Sequence, residues 1–301
     1  MHDHISICIC TYKRPEFLKK LLGAILEQNT NDNFIFSVVV IDNDLNASAK
    51  DIIKIIQKES DISITYKVEP VQNIARVRNL AISSASGNYI AFIDDDEIPI
   101  KDWIRFLYGT CRKYNVDGVL GPVIPVFEKE PEKWMVKGKI YERPRYETGK
   151  LVHWGNSRTG NLLFKKSILK NTHGPFNEAY KSQGEDIIFF KEMNKNGFRF
   201  AWCDEAIVYE TVFASRISKR YLLNRALLQG YTSLNYMSGN KFFIISKSIL
   251  ALIIYSILLP FQLLFGMQYF MKYLIKHFNH LSRLSRLLGI KLVKDRNSLE
   301  G

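Results

Sequence analysis

Asp94-Asp95-Asp96-Glu97 places four consecutive acids directly after the apolar run Tyr89 to Ile93. Crowded carboxylates repel one another unless a cation lies among them. Hard oxygen ligands suit Mg²⁺ or Mn²⁺, above all when a diphosphate shares the ion. The run before the acids has the length and β-branched content of a buried strand. The carboxylates therefore sit at a strand end, where open α/β sheets bind ligands. Taken alone, the stretch also fits a solvated acidic turn. A second acid pair, Glu185-Asp186, follows Gly184 and opens an apolar pattern over Ile187, Ile188, Phe189, Phe190 and Met193. A carboxylate there can take the proton of a hydroxyl, or simply cap the helix, because acids favour helix N-termini.

The elements that must position these groups alternate in type. Ile5 to Cys10 reads as a strand, and Pro15 fits the first turn of a helix whose apolar face is Phe17, Leu18, Leu21, Leu22, Ile25 and Leu26. Ile35 to Ile41 is a second strand, ending at Asp42-Asn43-Asp44. A helix around Ile52 to Ile56, a strand over Ile62 to Val68, and a helix over Asn73 to Ser84 closed by Gly87 lead to the strand that ends at Asp94. Strands apolar throughout, alternating with helices, argue for a mostly parallel sheet covered on both faces. Thr11, Asp42 and Asp94 all fall at carboxyl ends of such strands. Residues 125–160, rich in proline and charge, read as loops and a small subdomain, and Phe198 to Trp202 and Ala206 to Tyr209 read as short closing strands.

The chain of 301 residues has a formal net charge of +12 and ordinary hydrophobic content. That charge is concentrated: residues 211–301 hold 13 Lys and Arg against Asp295 and Glu300. An anionic surface met by the tail alone is implied. Interleaved apolar runs favour lipid over nucleic acid as that surface. Ser248 to Met271 carries no charge and exceeds the roughly 20 residues needed to cross a bilayer, with Pro260 near its middle. Beyond it, Leu281, Leu284, Leu287, Leu288 and Leu292 share one helical face and Arg283, Arg286 and Lys294 the other, as in a helix lying in a membrane interface. A buried hairpin in an oligomer is the alternative. Cys8, Cys10, Cys111 and Cys203 form no metal or disulfide pattern, which suits a reduced cytosolic setting. No signal peptide is expected, and His2 and His4 read as flexible terminal residues rather than ligands.

Four ordered segments together resemble family 2 glycosyltransferases over roughly residues 4–215. Ile5 to Pro15 resembles the opening strand and loop, Asn73-Ile74-Ala75-Arg76-Val77-Arg78-Asn79 the Ala-Arg-Asn helix, Asp94-Asp95-Asp96 the Asp-x-Asp motif, and Gly184-Glu185-Asp186 the acceptor-side Glu-Asp motif. The bacterial surface-polysaccharide branch, similar to succinoglycan glucosyltransferases, is the nearest subgroup. The resemblance implies a GT-A fold on residues 1–215, with 216–301 as a helical membrane-associating region. It implies inverting transfer from a nucleoside diphosphate sugar, with UDP the expected carrier. Under it, Thr11 and Tyr12 contact the nucleoside and Asp42 the base. Arg78, with Arg76, faces the diphosphate. Asp94 and Asp95 serve the donor sugar nucleotide, and Asp96, with Asp94, holds Mn²⁺ or Mg²⁺. Asp186 is the base and Glu185 its understudy. Asn161 and Trp154 contact the acceptor, a polyprenyl-diphosphate-linked oligosaccharide, and Trp154 or Trp134 can stack on a sugar. Attachment to the cytoplasmic face of the inner membrane follows, on anionic lipid.

The sequence departs from that pattern in three places. Asn73 stands where the helix motif has Gly, and Glu210 stands where many relatives have a metal-touching His. The Gln-x-x-Arg-Trp motif of processive synthases is missing, so transfer of a single sugar is expected. Two rivals are weaker. A sugar nucleotidyltransferase needs a Gly-rich loop with Lys after the first strand, and Cys10-Thr11-Tyr12-Lys13-Arg14 has no Gly. A non-catalytic membrane scaffold has no need of either acidic motif, and both are intact.

Overall fold

The structure, a computed structural model, describes residues 2–170, 174–180, 184–235, 237 and 240–292. Lys294, expected on the polar face of the tail helix, lies outside the described residues. The chain divides into two compact units, Met1–Ile124 with Arg143–Glu210 and Pro125–Glu142 with Thr211–Gly301.

The first unit is built on β1 (Asp3–Thr11), α1 (Pro15–Leu26), β2 (Phe34–Asp42), α2 (Lys50–Glu59), β3 (Ile64–Val68), α3 (Ile74–Ser84), β4 (Tyr89–Asp94), β5 (Glu97–Pro99), α4 (Trp103–Lys113) and β6 (Gly118–Leu120). After β7 (Val123–Phe127) and α5 (Lys133–Lys137), it resumes with β8 (Leu162–Lys165), α6 (Glu185–Lys195), β9 (Phe200–Trp202) and the start of β10 (Val208–Val212). Seven strands form one sheet in the order β3-β2-β1-β4-β8-β6-β9. The first four are parallel, and β8 runs antiparallel to both β4 and β6.

Alternation along β1 explains the two covered faces. Ile5, Ile7 and Ile9 join Leu18, Leu21, Leu22, Ile53 and Ile104 on one side. Cys8 joins Ala75, Val77, Ala81, Phe176, Phe189 and Phe190 on the other. The sheet is thus mixed but mostly parallel with helices on both faces, as the apolar pattern predicts. Strand order reverses direction at the β1–β4 junction, the switch point where such sheets bind ligands. Register puts Thr11 opposite Asp42, and Cys10 opposite Asp94.

Some boundaries differ from the sequence expectation. β3 starts at Ile64, and the closing strands are Phe200–Trp202 and Val208–Val212. The short β5, β6 and β7 were not anticipated. They are paired elements whose partners lie far along the chain, so local pattern carries little of their signal.

The second unit holds α5, α7 (Lys219–Ser233), α8 (Lys241–Leu264) and α9 (Met267–Leu287), around Trp134, Met135, Leu222 and Met271. Both α7 and α8 pack on α9. Among the described residues, Phe242–Leu264 is the one helix long and apolar enough to cross a membrane, and little of it is buried. Pro260 does not divide the apolar stretch: the helix runs through it and ends at Leu264. The reversal falls at Gly266, whose φ of +117° an L side chain rarely adopts. Arg283 and Arg286 also differ from expectation. Arg283 donates to Ser233 Oγ at 2.9 Å and Asn279 Oδ1 at 3.1 Å, and Arg286 to the Tyr231 carbonyl at 2.5 Å. Both turn inward, while Leu281, Leu287 and Leu288 are exposed.

Position along the strands predicts a contrast between two isoleucines. Ile7 is fully buried and Ile35, in β2, is exposed. Ile7→Ala is expected to cost about 2–5 kcal/mol of unfolding free energy, and Ile35→Ala no more than ~0.5 kcal/mol, measured by urea denaturation.

Candidate active site

The carboxyl ends of β1, β2 and β4 bring the first set of expected residues together. Thr11 is buried and its hydroxyl donates to Asp95 Oδ2 at 2.8 Å. Tyr12 is exposed and accepts from the Gln72 amide. Asp42 is fully buried. Its Oδ1 accepts from the Asp44 N–H at 3.0 Å, and its Oδ2 from the Ala49 N–H at 2.8 Å and the Tyr66 hydroxyl at 2.9 Å. Three internal donors hold this carboxylate in place beneath the surface. Tyr66 was not anticipated. Its signal is the inter-strand register, which pairs Val40 of β2 with Tyr66 of β3.

The four acids after Ile93 take different environments. Asp94 is half-exposed and its backbone N–H donates to Glu97 Oε2 at 3.0 Å. Asp95 and Asp96 are buried, and Arg14 lies 3.3 Å from Asp95 Oδ1 and 3.1 Å from Asp96 Oδ2. Glu97 is almost wholly buried and sits opposite Glu210 in the antiparallel β5–β10 pair. Like charges directly opposite are unfavourable, and Arg143 answers them at 2.5 Å from Glu210 Oε2. Negative charge is nonetheless in surplus. Burial pushes the Asp96 carboxyl up to about 7, with Asp94, Asp95 and Glu210 acting the same way against Arg14. Burial, then Asp94 and Glu210, hold Glu97 well above the ordinary range.

Among the described residues, no group of three His, Cys, Asp or Glu is assembled as a ready metal cage. The donor chemistry still fits a hard divalent cation. A Cβ built on Gly160 would lie 2.7 Å from Glu97 Oε1 and 3.0 Å from Asp94 Oδ2. Two carboxylates thus converge on a space that only glycine leaves open. Mg²⁺-type sites are commonly held by one or two carboxylates, with phosphate and water completing the shell.

Arg78 connects the two acid motifs. Its guanidinium is buried, ion-paired with Glu185 and 3.9 Å from Asp94 Oδ1. Burial opposes its charge, but Glu185 and Asp94 outweigh that. Glu185 is itself raised by burial, with Arg78 pulling the other way. Among the described residues, Glu185 Oε2 is buried with no hydrogen-bond partner. Asp186, in the first turn of α6, is only half-buried, with Oδ1 accepting from the Ile187 N–H at 2.7 Å. Of the two, Asp186 is the acid an outside hydroxyl can approach.

The rest of the α3 motif makes contacts within the chain. Asn73 caps α3, its Oδ1 accepting from the Ala75 N–H at 3.0 Å, while its amide donates to the Glu178 carbonyl at 2.9 Å. Its φ of −160° is ordinary extended backbone, so nothing there requires glycine. Arg76 pairs with Glu69 at 3.3 Å and Glu178 at 3.6 Å. Asn79 exchanges two hydrogen bonds with the Phe176 backbone, at 2.8 and 2.9 Å.

Two acceptor-side expectations change. Asn161 is fully buried, with φ of +60° turning its side chain inward. It donates to the carbonyls of Pro122 at 2.9 Å and Ala206 at 2.7 Å and accepts from Trp103 Nε1 at 2.7 Å. Its amide is consumed in joining loops. Trp134 belongs to the second unit, packed in its core with Nε1 donating to Glu132 at 2.8 Å. Trp154 stays in the first unit near α6, half-buried, with Lys191 Nζ 5.7 Å from its ring centroid.

The raised acids predict an unusual pH profile for metal-free protein. A carboxyl raised on folding binds its proton more tightly in the folded state, so stability grows as pH falls through its folded pKa. In EDTA, unfolding free energy is expected to rise from pH 8 to pH 5, and Asp96→Asn to flatten that rise, as read by denaturant titration.

Comparison with known proteins agrees with this geometry. The model of Glycosyl transferase family 2 matches residues 6–172. The Succinoglycan biosynthesis protein ExoM of Rhizobium meliloti is 33% identical over 235 residues, covering 76% of this chain and 74% of its own. Mannosyltransferase PcManGT from Pyrobaculum calidifontis, solved with GDP-Man and Mn²⁺, superposes with TM-score 0.65 at 15% identity, covering 96% of this chain and 88% of its own. S. aureus TarS 1-349 in complex with UDP gives TM-score 0.54 at 18% identity, with 98% and 94% covered. The fold is that of GT-A enzymes, and the chain is a member of glycosyltransferase family 2.

Proposed function

We propose that the chain is an inverting, metal-dependent glycosyltransferase that moves one sugar from a UDP-linked donor to a lipid-linked oligosaccharide in bacterial surface-polysaccharide synthesis. The observation that carries this reading is Arg78, which joins Asp94 of the donor-side motif to Glu185 of the acceptor-side motif. Arg78 and Glu185 lie 107 positions apart in the sequence, and the two acid motifs meet at this one guanidinium. The relative's name, which places it in succinoglycan biosynthesis, supports the polysaccharide class. The UDP complex of one structural neighbour and the GDP-Man and Mn²⁺ complex of another support a nucleotide sugar and a metal.

In this reading the nucleoside lies over the ends of β1–β3, beside Tyr12 and Gln72, with Asp42 and Tyr66 shaping the floor beneath the base. Asp96, with Asp94, would hold Mn²⁺ or Mg²⁺, which supplies charge neutralisation for the departing diphosphate. Arg78 keeps Asp94 and Glu185 in register and adds positive charge near the diphosphate; Arg76 adds more at the mouth. The acceptor hydroxyl stands beside Asp186, which takes its proton as the oxygen bonds to the anomeric carbon. The bond from that carbon to the diphosphate oxygen breaks on the opposite face, so configuration inverts. Trp154 offers a flat surface beside α6 for the acceptor sugar.

Residues 1–215 carry this chemistry and 216–301 attach it to the membrane. Exposed apolar residues of α8 and the basic tail support attachment to the cytoplasmic face, where anionic headgroups add about 1 kcal/mol per nearby Lys or Arg. The reversal at Gly266 supports a hairpin that leaves both flanks on one side.

Release of nucleoside diphosphate, assayed over membranes bearing lipid-linked oligosaccharide, tests the activity. Asp96→Ala and saturating EDTA are each expected to lower turnover at least ~100-fold. Asp186→Asn should abolish transfer while UDP still binds; substantial transfer by that variant would move the base to Glu185. A reporter fused after Gly301 should read out in the cytoplasm, and a periplasmic signal would show that the tail crosses.

A further inference from the structure

Arg14 has no role in the chemistry described so far, yet it sits at its centre. After β1 the chain turns over Lys13, at φ of +53°, and Arg14 becomes the residue before α1. Pro15 at the first helical position fixes the backbone there. The guanidinium reaches back across the turn to Asp96 Oδ2 at 3.1 Å and Asp95 Oδ1 at 3.3 Å. Both carboxylates are buried, whereas the Arg14 side chain is 27% exposed.

The two partners are not equivalent. Asp95 is held independently by the Thr11 hydroxyl at 2.8 Å. Asp96 shares its position with surplus negative charge from Asp94, Asp95 and Glu210 and has Arg14 as its opposing cation. A divalent cation arriving at Asp96 meets a guanidinium already on that carboxylate. Two cations do not share one carboxylate closely without mutual repulsion. Both contacts come from one nitrogen of the guanidinium fork, Nη1, and one of its two hydrogens can stay on Asp95 while the other leaves Asp96. What it turns towards is set by charge: a diphosphate bound to the same cation brings several oxygen acceptors matched to that fork.

We propose that Arg14 is an exchangeable counter-ion, seated on Asp96 until the divalent cation takes that carboxylate and then turned to the diphosphate of the donor. The proposal rests on the metal reading above. It makes Arg14 a competitor of the free metal and a ligand of the metal–nucleotide pair. No covalent bond changes; one ion pair replaces another.

The test measures binding alone. Free Mn²⁺ is followed by its EPR signal, and UDP by calorimetry, in wild type, Arg14→Met, Arg14→Lys and Asp96→Asn. Arg14→Met is expected to bind Mn²⁺ alone at least ~5-fold more tightly and, with Mn²⁺ saturating, to bind UDP at least ~10-fold more weakly, the loss of a charge-assisted hydrogen bond. Arg14→Lys, which keeps the positive charge, should keep Mn²⁺ affinity near wild type. Should Arg14→Met not fold, Arg14→Gln must show the same opposed pair of changes. An Asp96-dependent Mn²⁺ site that does not tighten without the Arg14 charge, or UDP binding that does not weaken, overturns the proposal and leaves the metal reading standing. Equal Mn²⁺ binding by wild type and Asp96→Asn overturns both.

Discussion

Negative charge kept from water governs the carboxyl end of β4. Asp95, Asp96 and Glu97 follow one another at a strand end and are all buried. An unpaired buried carboxylate is costly, so the surrounding loops must deliver cations. Arg14 comes from the turn after β1, Arg78 from α3, and Arg143 from the segment ahead of β8. Arg14 and Arg78 meet the acidic run itself, and Arg143 meets Glu210, which lies opposite Glu97. The switch point of the sheet makes this possible, because the ends of β1 and β4 are neighbours there. Compensation is incomplete, which suits the divalent cation proposed for this site.

The same helix that supplies Arg78 also shapes the approach to Asp186. Asn73 and Asn79 grip the backbone at Glu178 and Phe176, and Arg78 grips Glu185. Three side chains of one motif thereby tie down Phe176, Glu178 and the start of α6. The short polar motif over residues 73–79 is best understood as a clamp between the parallel strands and α6. Phe176, stacked on Phe189 with ring centroids 4.7 Å apart, closes the apolar side of that clamp.

Much of this was legible in the sequence. Apolar runs ending in Thr11, Asp42 and Asp94 gave the parallel strands and the edge at which they act, since both depend only on local pattern. What could not be read was side-chain direction after a turn. Asn161 looks like an exposed loop amide until its positive φ turns it inward beneath Trp103. Asp42 looks free until Tyr66, a strand away, donates to it. The meeting of Glu97 with Glu210 is a matter of antiparallel register, to which residues more than a hundred positions apart give no local clue. Arg283 and Arg286 look like a lipid-facing polar stripe, but the hydroxyl, amide and carbonyl groups that draw them inward lie largely on α7, a separate helix.

Gly160 gives the site a vulnerability of its own. The space into which Asp94 and Glu97 open is as wide as one missing methyl group, and a methyl fixed to the backbone cannot swing aside. The acids would have to part instead, and Glu97 is already tied to the Asp94 backbone. A change this small removes no packing from the apolar core. If the proposed cation sits in that space, the chain can lose its chemistry while keeping its fold, and a survey of variants by solubility or melting temperature would pass such a protein as sound.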